Sequence, residues 1–353
     1  MCIKLRIIIV LISFLFSCSH QSVNQQREVA GRLDELNLPN KGVEVSTRKI
    51  LPLGHFPNQI DGAAVDKAGN LYVGNFEQAG VVGFKVNPLN NKTEFKKLLQ
   101  LPQDGVVSSI RIDTKNKMFV LDYVNHRIFK FDLNDKTPFT SERIKGSLYF
   151  EDTLNRLFQP NDVAIADDGT LYLTDPPWGN IKNIRQQPEE AWPNGKASGR
   201  VWKLGPCTQS PCADSLELLV PNIKTPNGIA LSANNDFLFF TDSASGLLFS
   251  YDLINKSLQK IFKFNTWSPD GIRLDQAGNI FVTLITEGRI DVVASQKSDK
   301  LISSIKLIGA QPSNLAFGGQ DGKSVFVTIK NKEERFVETF QATLPGLDWV
   351  KPD

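Results

Sequence analysis

The chain has 353 residues, of which 41% are hydrophobic and 22% charged, with 40 Lys and Arg against 38 Asp and Glu for a formal net charge of +2. Removing residues 1–17, which carry Lys4 and Arg6 and no acidic residue, brings +2 to 0. A neutral chain without basic clusters excludes a nucleic-acid partner as the expectation, and the apolar content suffices for a core without staples.

In chain order, residues 1–17 read as an export signal: Lys4 and Arg6, an apolar run too short to span a bilayer, then Leu15, Phe16 and Ser17 ahead of Cys18. The pattern resembles a bacterial lipoprotein signal with lipid attachment at Cys18, and an ordinary secretory signal is the alternative. Ser19 after the lipidated cysteine implies an outer-membrane protein facing the periplasm. Residues 18–41 are polar and nearly free of aromatics, so they form a flexible tether. Residues 42–346 form the folded domain and 347–353 a short tail.

Within that domain one phrase recurs six times, at Asp61 (DGAAVDKAGNLYVGN), Ser108 (SSIRIDTKNKMFVLD), Asn161 (NDVAIADDGTLYLTD), Asn227 (NGIALSANNDFLFFTD), Asp270 (DGIRLDQAGNIFVT) and Ser313 (SNLAFGGQDGKSVFVT). Each copy is a strand, a Gly- or Asn-bearing turn and a second strand rich in β-branched and aromatic residues. The start points lie 47, 53, 66, 43 and 43 residues apart, a spacing that signals a propeller or solenoid rather than a string of domains. Further strand-like runs follow each hairpin, such as RIFKFDL from Arg127, RVWKL from Arg200 and LLFSYDL from Leu247. Four strands per repeat is a propeller blade. The expected fold is therefore an all-β, six-bladed β-propeller, with the run VEVSTRKILP from Val43 completing the last blade and covering its open edge.

In a propeller the first strand of each blade lines the channel, so the residues opening the six phrases converge at one mouth. Two carboxylates, two amides and two hydroxyls then face one another, and two carboxylates in a narrow, partly dry channel need a proton or a cation between them. An all-oxygen set suits a hard divalent ion: Ca²⁺ first, Mg²⁺ or Mn²⁺ next, and Zn²⁺ less favoured without His or Cys. Asp61, Asn161, Asn227 and Asp270 are the candidate ligands. Asn-Gly and Asp-Gly are also ordinary turn dipeptides, which is the purely structural alternative.

The phrases from Pro160, Pro226, Pro269 and Asn314 resemble those of the gluconolactonase, senescence-marker protein and luciferin-regenerating enzyme family. That resemblance implies a six-bladed propeller with a divalent metal in its channel and hydrolysis of lactones or related esters. It also implies that Asn227 and Asp270 bind metal, and that Asn161 binds metal or faces substrate. Asp61 stands where the family has Glu. Asp270 is then both ligand and the group that takes a proton from water.

The long segment from Pro176 to Gly199, with Trp178, Arg185 and Trp192, is a candidate lid or pocket wall. Trp178, Arg185, Tyr123 and Asn161 are the candidate substrate contacts. His126 and His55 sit at loops of the same mouth, and His126 is a weaker alternative base. Asp122, Asp175 and Asp242 close second strands and read as locks that accept backbone hydrogen bonds. Cys207 and Cys212, spaced CTQSPC, are expected to form a local disulfide between two strands of blade three in an oxidising compartment. The function expected is a metal-dependent lactonase or esterase at the cell envelope. The alternatives are a non-catalytic propeller binding a ligand or partner at the same mouth, and a metal-free scaffold.

Overall fold

The computed structural model describes residues 46–49, 60–75, 80–86, 93–177, 198–207, 210–212, 215–294, 300–330 and 335–351. The chain divides by contact into Met1–Val43 and Glu44–Asp353. The leader, Cys18, the tether, His55, Trp178, Arg185 and Trp192 all lie outside the described residues.

The fold is all-β and propeller-like. After the two-residue strand β1 (Arg48–Lys49), the first sheet comprises β2 (Ile60–Val65), β3 (Asn70–Asn75), β4 (Gly80–Val86) and β5 (Thr93–Gln100). The second comprises β6 (Val107–Ile112), β7 (Lys117–Asp122), β8 (Arg127–Asp132) and β9 (Leu148–Glu151), and the third β10 (Val163–Ile165), β11 (Leu171–Asp175), β12 (Gly199–Leu204) and β13 (Leu216–Ile223). The fourth holds β14 (Pro226–Leu231), β15 (Phe237–Asp242), β16 (Leu247–Asp252) and β17 (Ser257–Lys263), and the fifth β18 (Pro269–Leu274), β19 (Ile280–Leu284), β20 (Arg289–Val293) and β21 (Leu301–Lys306). The last is β22 (Pro312–Gly318), β23 (Ser324–Lys330) and β24 (Arg335–Gln341), with β1 paired antiparallel to β24 through Arg48 opposite Thr339 and Lys49 opposite Glu338. A short helix, α1 (Ser141–Gly146), which the strand pattern did not foretell, interrupts the second sheet. Thr140 caps it, its side chain accepting from the Arg143 amide at 3.2 Å.

Five of the six first strands are buried throughout, and β10 is buried except at Ile165, which is why the phrases read as nearly continuous apolar runs after their opening residue. The core is not one mass but six apolar clusters, each between consecutive sheets. Phe240 and Phe249 stack at 5.3 Å between the third and fourth sheets, and Phe281 meets Phe317 edge-on at 5.2 Å between the fifth and sixth. Ile60, Val73 and Phe326 pack the sixth sheet against the first. Each such side chain contributes about 1.5–3 kcal/mol by leaving water.

The glycines of the Asp-Gly and Asn-Gly phrases have a different job from the turn role weighed in the sequence. They lie on the first strands, not in hairpin turns, at points where neighbouring strands touch. A Cβ on Gly62, which also has φ +57°, would meet the Ser109 Cα at 2.7 Å, and one on Gly271 would meet the Asn314 side chain at 2.8 Å. Register shifts occur at the same places, between Asp61 and Ala63, Pro226 and Ile229, and Pro269 and Ile272. Such bulges re-aim the side chain they contain, and here that side chain is Asp61, Asn227 or Asp270.

Residues 347–351, set apart in the sequence as a tail, dock on the sheets. The Leu347 amide donates to the Leu274 carbonyl at 2.8 Å, the Trp349 indole N–H donates to the Gly319 carbonyl at 3.1 Å, and Val350 is buried. The Cys207–Cys212 disulfide forms, with Cα atoms 5.4 Å apart, but within the connection from β12 to β13 rather than between two strands. The Cys212 amide donates to the Tyr149 carbonyl at 2.7 Å, so the crosslinked connection is tied to the second sheet.

Candidate functional site

Asp61, Asn161, Asn227 and Asp270 are all buried, at 2–6% exposure, although each is polar. Their backbones are positioned by a relay of hydroxyls, each reaching from one sheet to the next. Thr174 Oγ1 donates to the Asn227 carbonyl at 2.5 Å, Thr241 Oγ1 to the Asp270 carbonyl at 2.9 Å, and Thr283 Oγ1 to the Ser313 carbonyl at 2.8 Å. Ser108 and Ser313, which open two of the phrases, continue the relay to the Pro160 and Ile60 carbonyls at 2.8 and 3.1 Å. These two serines are therefore fasteners between sheets. The Asn227 side-chain amide donates to Ser243 Oγ at 3.0 Å, and that hydroxyl donates to the Pro269 carbonyl at 2.6 Å. The Asn161 side chain makes no hydrogen bond among the described residues.

The sequence reading missed Lys330. It ends β23, and its ammonium Nζ lies 3.3 Å from Asp270 Oδ2 and 4.0 Å from Asp61 Oδ2. Lys330 belongs to a second set of channel positions. The backbone amides of Tyr123, Ser243, Ile285 and Lys330 donate to the carbonyls of Val106, Thr225, Ser268 and Gln311, which makes the four residues equivalent in their sheets. Each stands one residue past the last position of its second strand that pairs with the first strand, namely Asp122, Asp242, Leu284 and Ile329. Comparing the repeats at that step, rather than only at their opening residue, would have exposed the lysine.

The electrostatics follow from one ammonium shared by two buried carboxylates. Burial pushes the Asp61 carboxyl up, against the pull of Lys330. Burial pushes Asp270 up to about 7, Lys330 opposing and the charges of Asp61 and Asp162 adding to the rise. Burial works to lower the Lys330 ammonium, but Asp270 and Asp61 outweigh it and hold the group above its ordinary value. A third carboxylate, Asp162, is neutralised within the channel: Arg111 Nη2 donates to its Oδ2 at 2.7 Å, and Ser109 Oγ and the Val163 and Ile229 amides also donate to it. Asp162 and Arg111 were likewise absent from the sequence-derived site.

Tyr123 is buried, and burial together with the charges of Asp122 and Asp61 keeps its phenol protonated well above the ordinary value. His126, in contrast, is buried with Nε2 2.8 Å from the Phe158 carbonyl. That bond assigns the proton to Nε2 and commits this nitrogen to the backbone rather than to the Asp61, Lys330 and Asp270 group.

The aspartates that close second strands are the locks the sequence suggested. Asp175 accepts from the Phe158 and Gln159 amides at 2.8 and 2.6 Å, from the Trp202 indole N–H at 2.9 Å and from Arg200 at 3.0 Å. Asp122 accepts from the Val106 amide at 3.1 Å and Asp242 from the Thr225 amide at 2.9 Å. In the last sheet, where Ile329 takes the equivalent place, Glu338 accepts from the Ile308 and Gly309 amides at 2.8 and 2.9 Å.

Asp61, Asn161, Asn227 and Asp270 have the right oxygen chemistry, and Ca²⁺ would take its ligands at about 2.3–2.6 Å. With Lys330 in place they do not fit it. The ammonium already holds the two carboxylates that would have to bind the ion. A dication as close to Nζ as those carboxylates are, ~4 Å, would meet repulsion of ~8 kcal/mol at an effective dielectric of about 20.

Residues 145–331 match the SMP-30/Gluconolactonase/LRE-like region. The chain belongs to this family. The matched region includes Asn161, Asn227, Asp270 and Lys330 and stops short of Asp61. A gluconolactonase of Zymomonas mobilis is 26% identical over 244 residues, covering 65% of this chain and 62% of that protein, so the chain spans less than two thirds of that relative's length. Among solved structures, a gluconolactonase from Xanthomonas campestris is similar with a TM-score of 0.63 at 18% identity, covering 86% of this chain and 91% of that one. A calcium-binding regucalcin from Agrobacterium tumefaciens is similar with a TM-score of 0.62 at 16% identity, covering 88% and 97%. At these identities the structural likeness speaks for the fold.

Proposed function

We propose that the chain hydrolyses a small lactone or ester at the channel mouth, on a closed ring of six blades whose last is completed by the Arg48–Lys49 strand. Lipid on Cys18 would hold the ring at the cell envelope, most naturally the outer membrane of a bacterium. Family membership supports the reaction class, and one observation carries the assignment to this site: a buried carboxylate, Asp270, whose pKa is pushed up to about 7 beside an ammonium. A group that gains and loses a proton near neutrality is suited to general acid–base work. This pairing favours a hydrolase over a non-catalytic binding ring.

In this reading Asp270 takes a proton from water as the water oxygen bonds to the carbonyl carbon. Lys330 lies beside the carboxylate and donates towards the oxyanion that develops. The C–O bond to the leaving oxygen then breaks, and Asp270 returns its proton to that oxygen. Tyr123 and Asn161 would offer neutral hydrogen-bonding groups to the substrate, and Trp178 and Arg185 remain candidates for the substrate-facing wall. The ion expected from the sequence enters no step, because the donor set does not accommodate it with Lys330 present.

A panel of γ- and δ-lactones and small esters, assayed with wild type and Asp270→Asn, tests the proposal. Turnover of at least one substrate, reduced roughly 10²–10⁴-fold by the substitution, is expected for loss of a positioned general base. An inactive wild type across the panel, or full activity in Asp270→Asn, overturns it.

A further inference from the structure

We propose that the ammonium of Lys330 is the resident cation of this channel, occupying the role that a divalent ion would otherwise fill, so that the chain takes up no Ca²⁺ until Lys330 is removed. Nζ lies 3.3 Å from Asp270 Oδ2 and 4.0 Å from Asp61 Oδ2, so one positive charge joins the two carboxylates among the candidate ligands. The lysine side chain is only 17% exposed and its backbone is held by the Gln311 carbonyl at 2.8 Å, so the group enters the channel from a fixed strand end. Among the described residues, the buried cations Arg111 and Arg273 are committed elsewhere. Arg111 is committed to Asp162 and to the Val163 and Ile229 carbonyls, and Arg273 to Asp348 and to the Ile272 and Ala63 carbonyls.

The shortened carboxylate fits the same reading. Asp61 stands where the family resemblance has Glu, its Oδ1 accepts from its neighbour Gly62 at 2.8 Å, and Oδ2 is left to face Lys330. A side chain one methylene shorter leaves room for an ammonium and its stem. Among the described residues, no group of three or more His, Cys, Asp or Glu side chains could hold an ion, so nothing compensates for the two carboxylates that Lys330 occupies. An ammonium directs hydrogen bonds and a single charge, whereas a divalent ion collects oxygens at about 2.3–2.6 Å.

The test reads ion uptake rather than turnover, so it stands or falls separately from the hydrolase reading. Dialysed wild type, Lys330→Met and Lys330→Arg are titrated calorimetrically with CaCl₂, then with MgCl₂ and MnCl₂, after circular dichroism has shown the variants folded. Wild type and Lys330→Arg should show no saturable binding up to millimolar Ca²⁺. Lys330→Met should bind one Ca²⁺ per chain, at least tenfold more tightly than wild type, and should be stabilised by it. Stoichiometric Ca²⁺ binding by wild type overturns the proposal whatever the variants do. A folded Lys330→Met that binds no divalent ion also overturns it. If Lys330→Met does not fold, Lys330→Gln replaces it with the same two outcomes.

Discussion

Asp175→Ala should be among the most damaging single changes outside the channel itself, and its cost can be worked from the contacts. The carboxylate is fully buried and receives four donors: the Phe158 and Gln159 amides, the Trp202 indole and the Arg200 guanidinium. Burial pushes its pKa up despite Arg200, so the ion pair is not where its value lies. The value lies in the donors that would be orphaned. Each of the three neutral N–H groups left unpaired costs about 1–3 kcal/mol. Arg200 loses least, because its side chain is 19% exposed, donates also to the Arg156 carbonyl, and stacks on Phe158 at 3.6 Å. Water entering the vacated volume would satisfy some of these groups, which leaves a net loss of about 3–5 kcal/mol. Asp242→Ala is the control: the buried carboxylate accepts from the Thr225 and Ser245 amides and the Ser245 hydroxyl, donors on partly exposed residues that water can reach, and no cation pairs with it among the described residues, so about 1–2 kcal/mol is expected. Urea unfolding followed by tryptophan fluorescence measures both. If Asp175→Ala loses no more than Asp242→Ala, buried donors are not what makes the lock matter. Since Phe158 and Gln159 lead directly into Asn161, the same variant should also reduce turnover with a folded channel.

Two further outcomes are expected. Asp270 has a folded pKa raised to about 7 against 3.8, so the stability it contributes is complete below pH 3.8 and is lost as pH rises through about 7. Asp270→Asn cannot titrate, and its urea midpoint relative to wild type should move in its favour between pH 5 and pH 8; a constant difference would refute the raised pKa. Cys18→Ser should abolish labelling by a radioactive fatty acid and release the chain from the membrane fraction; retained labelling would remove the anchor from the reading.

The sheets were legible because the hairpin phrase repeats as two short apolar strand runs around a turn signal, and both survive in every copy from Asp61 to Ser313. Asp61, Asn161, Asn227 and Asp270 were legible for the same reason: they occupy one repeated place. Ser108 and Ser313 share that place yet hold neighbouring carbonyls, since a hydroxyl is short enough to bond the adjacent backbone and an amide or carboxylate at the bulge is turned inward. Lys330 escaped because a lone lysine ending the last second strand looks like a solvated edge residue. Only the register, which makes it the counterpart of Tyr123 and Ser243, turns it inward. The threonines 174, 241 and 283 look like ordinary strand residues in the sequence, since nothing in an apolar strand run distinguishes a hydroxyl that reaches across to the next sheet.

That reach has a consequence for how such a site can be altered. Asn227 is fastened by Thr174 of the sheet before it, Asp270 by Thr241, and Ser313 by Thr283. None of these three sheets therefore owns the alignment of its own channel residue. A blade transplanted from a relative would bring its side chain but leave behind the hydroxyl that aims it, and would in turn deprive the following blade of its own fastening. Exchangeable parts in this fold are thus not whole sheets but overlapping units, each running from the second strand of one sheet to the first strand of the next.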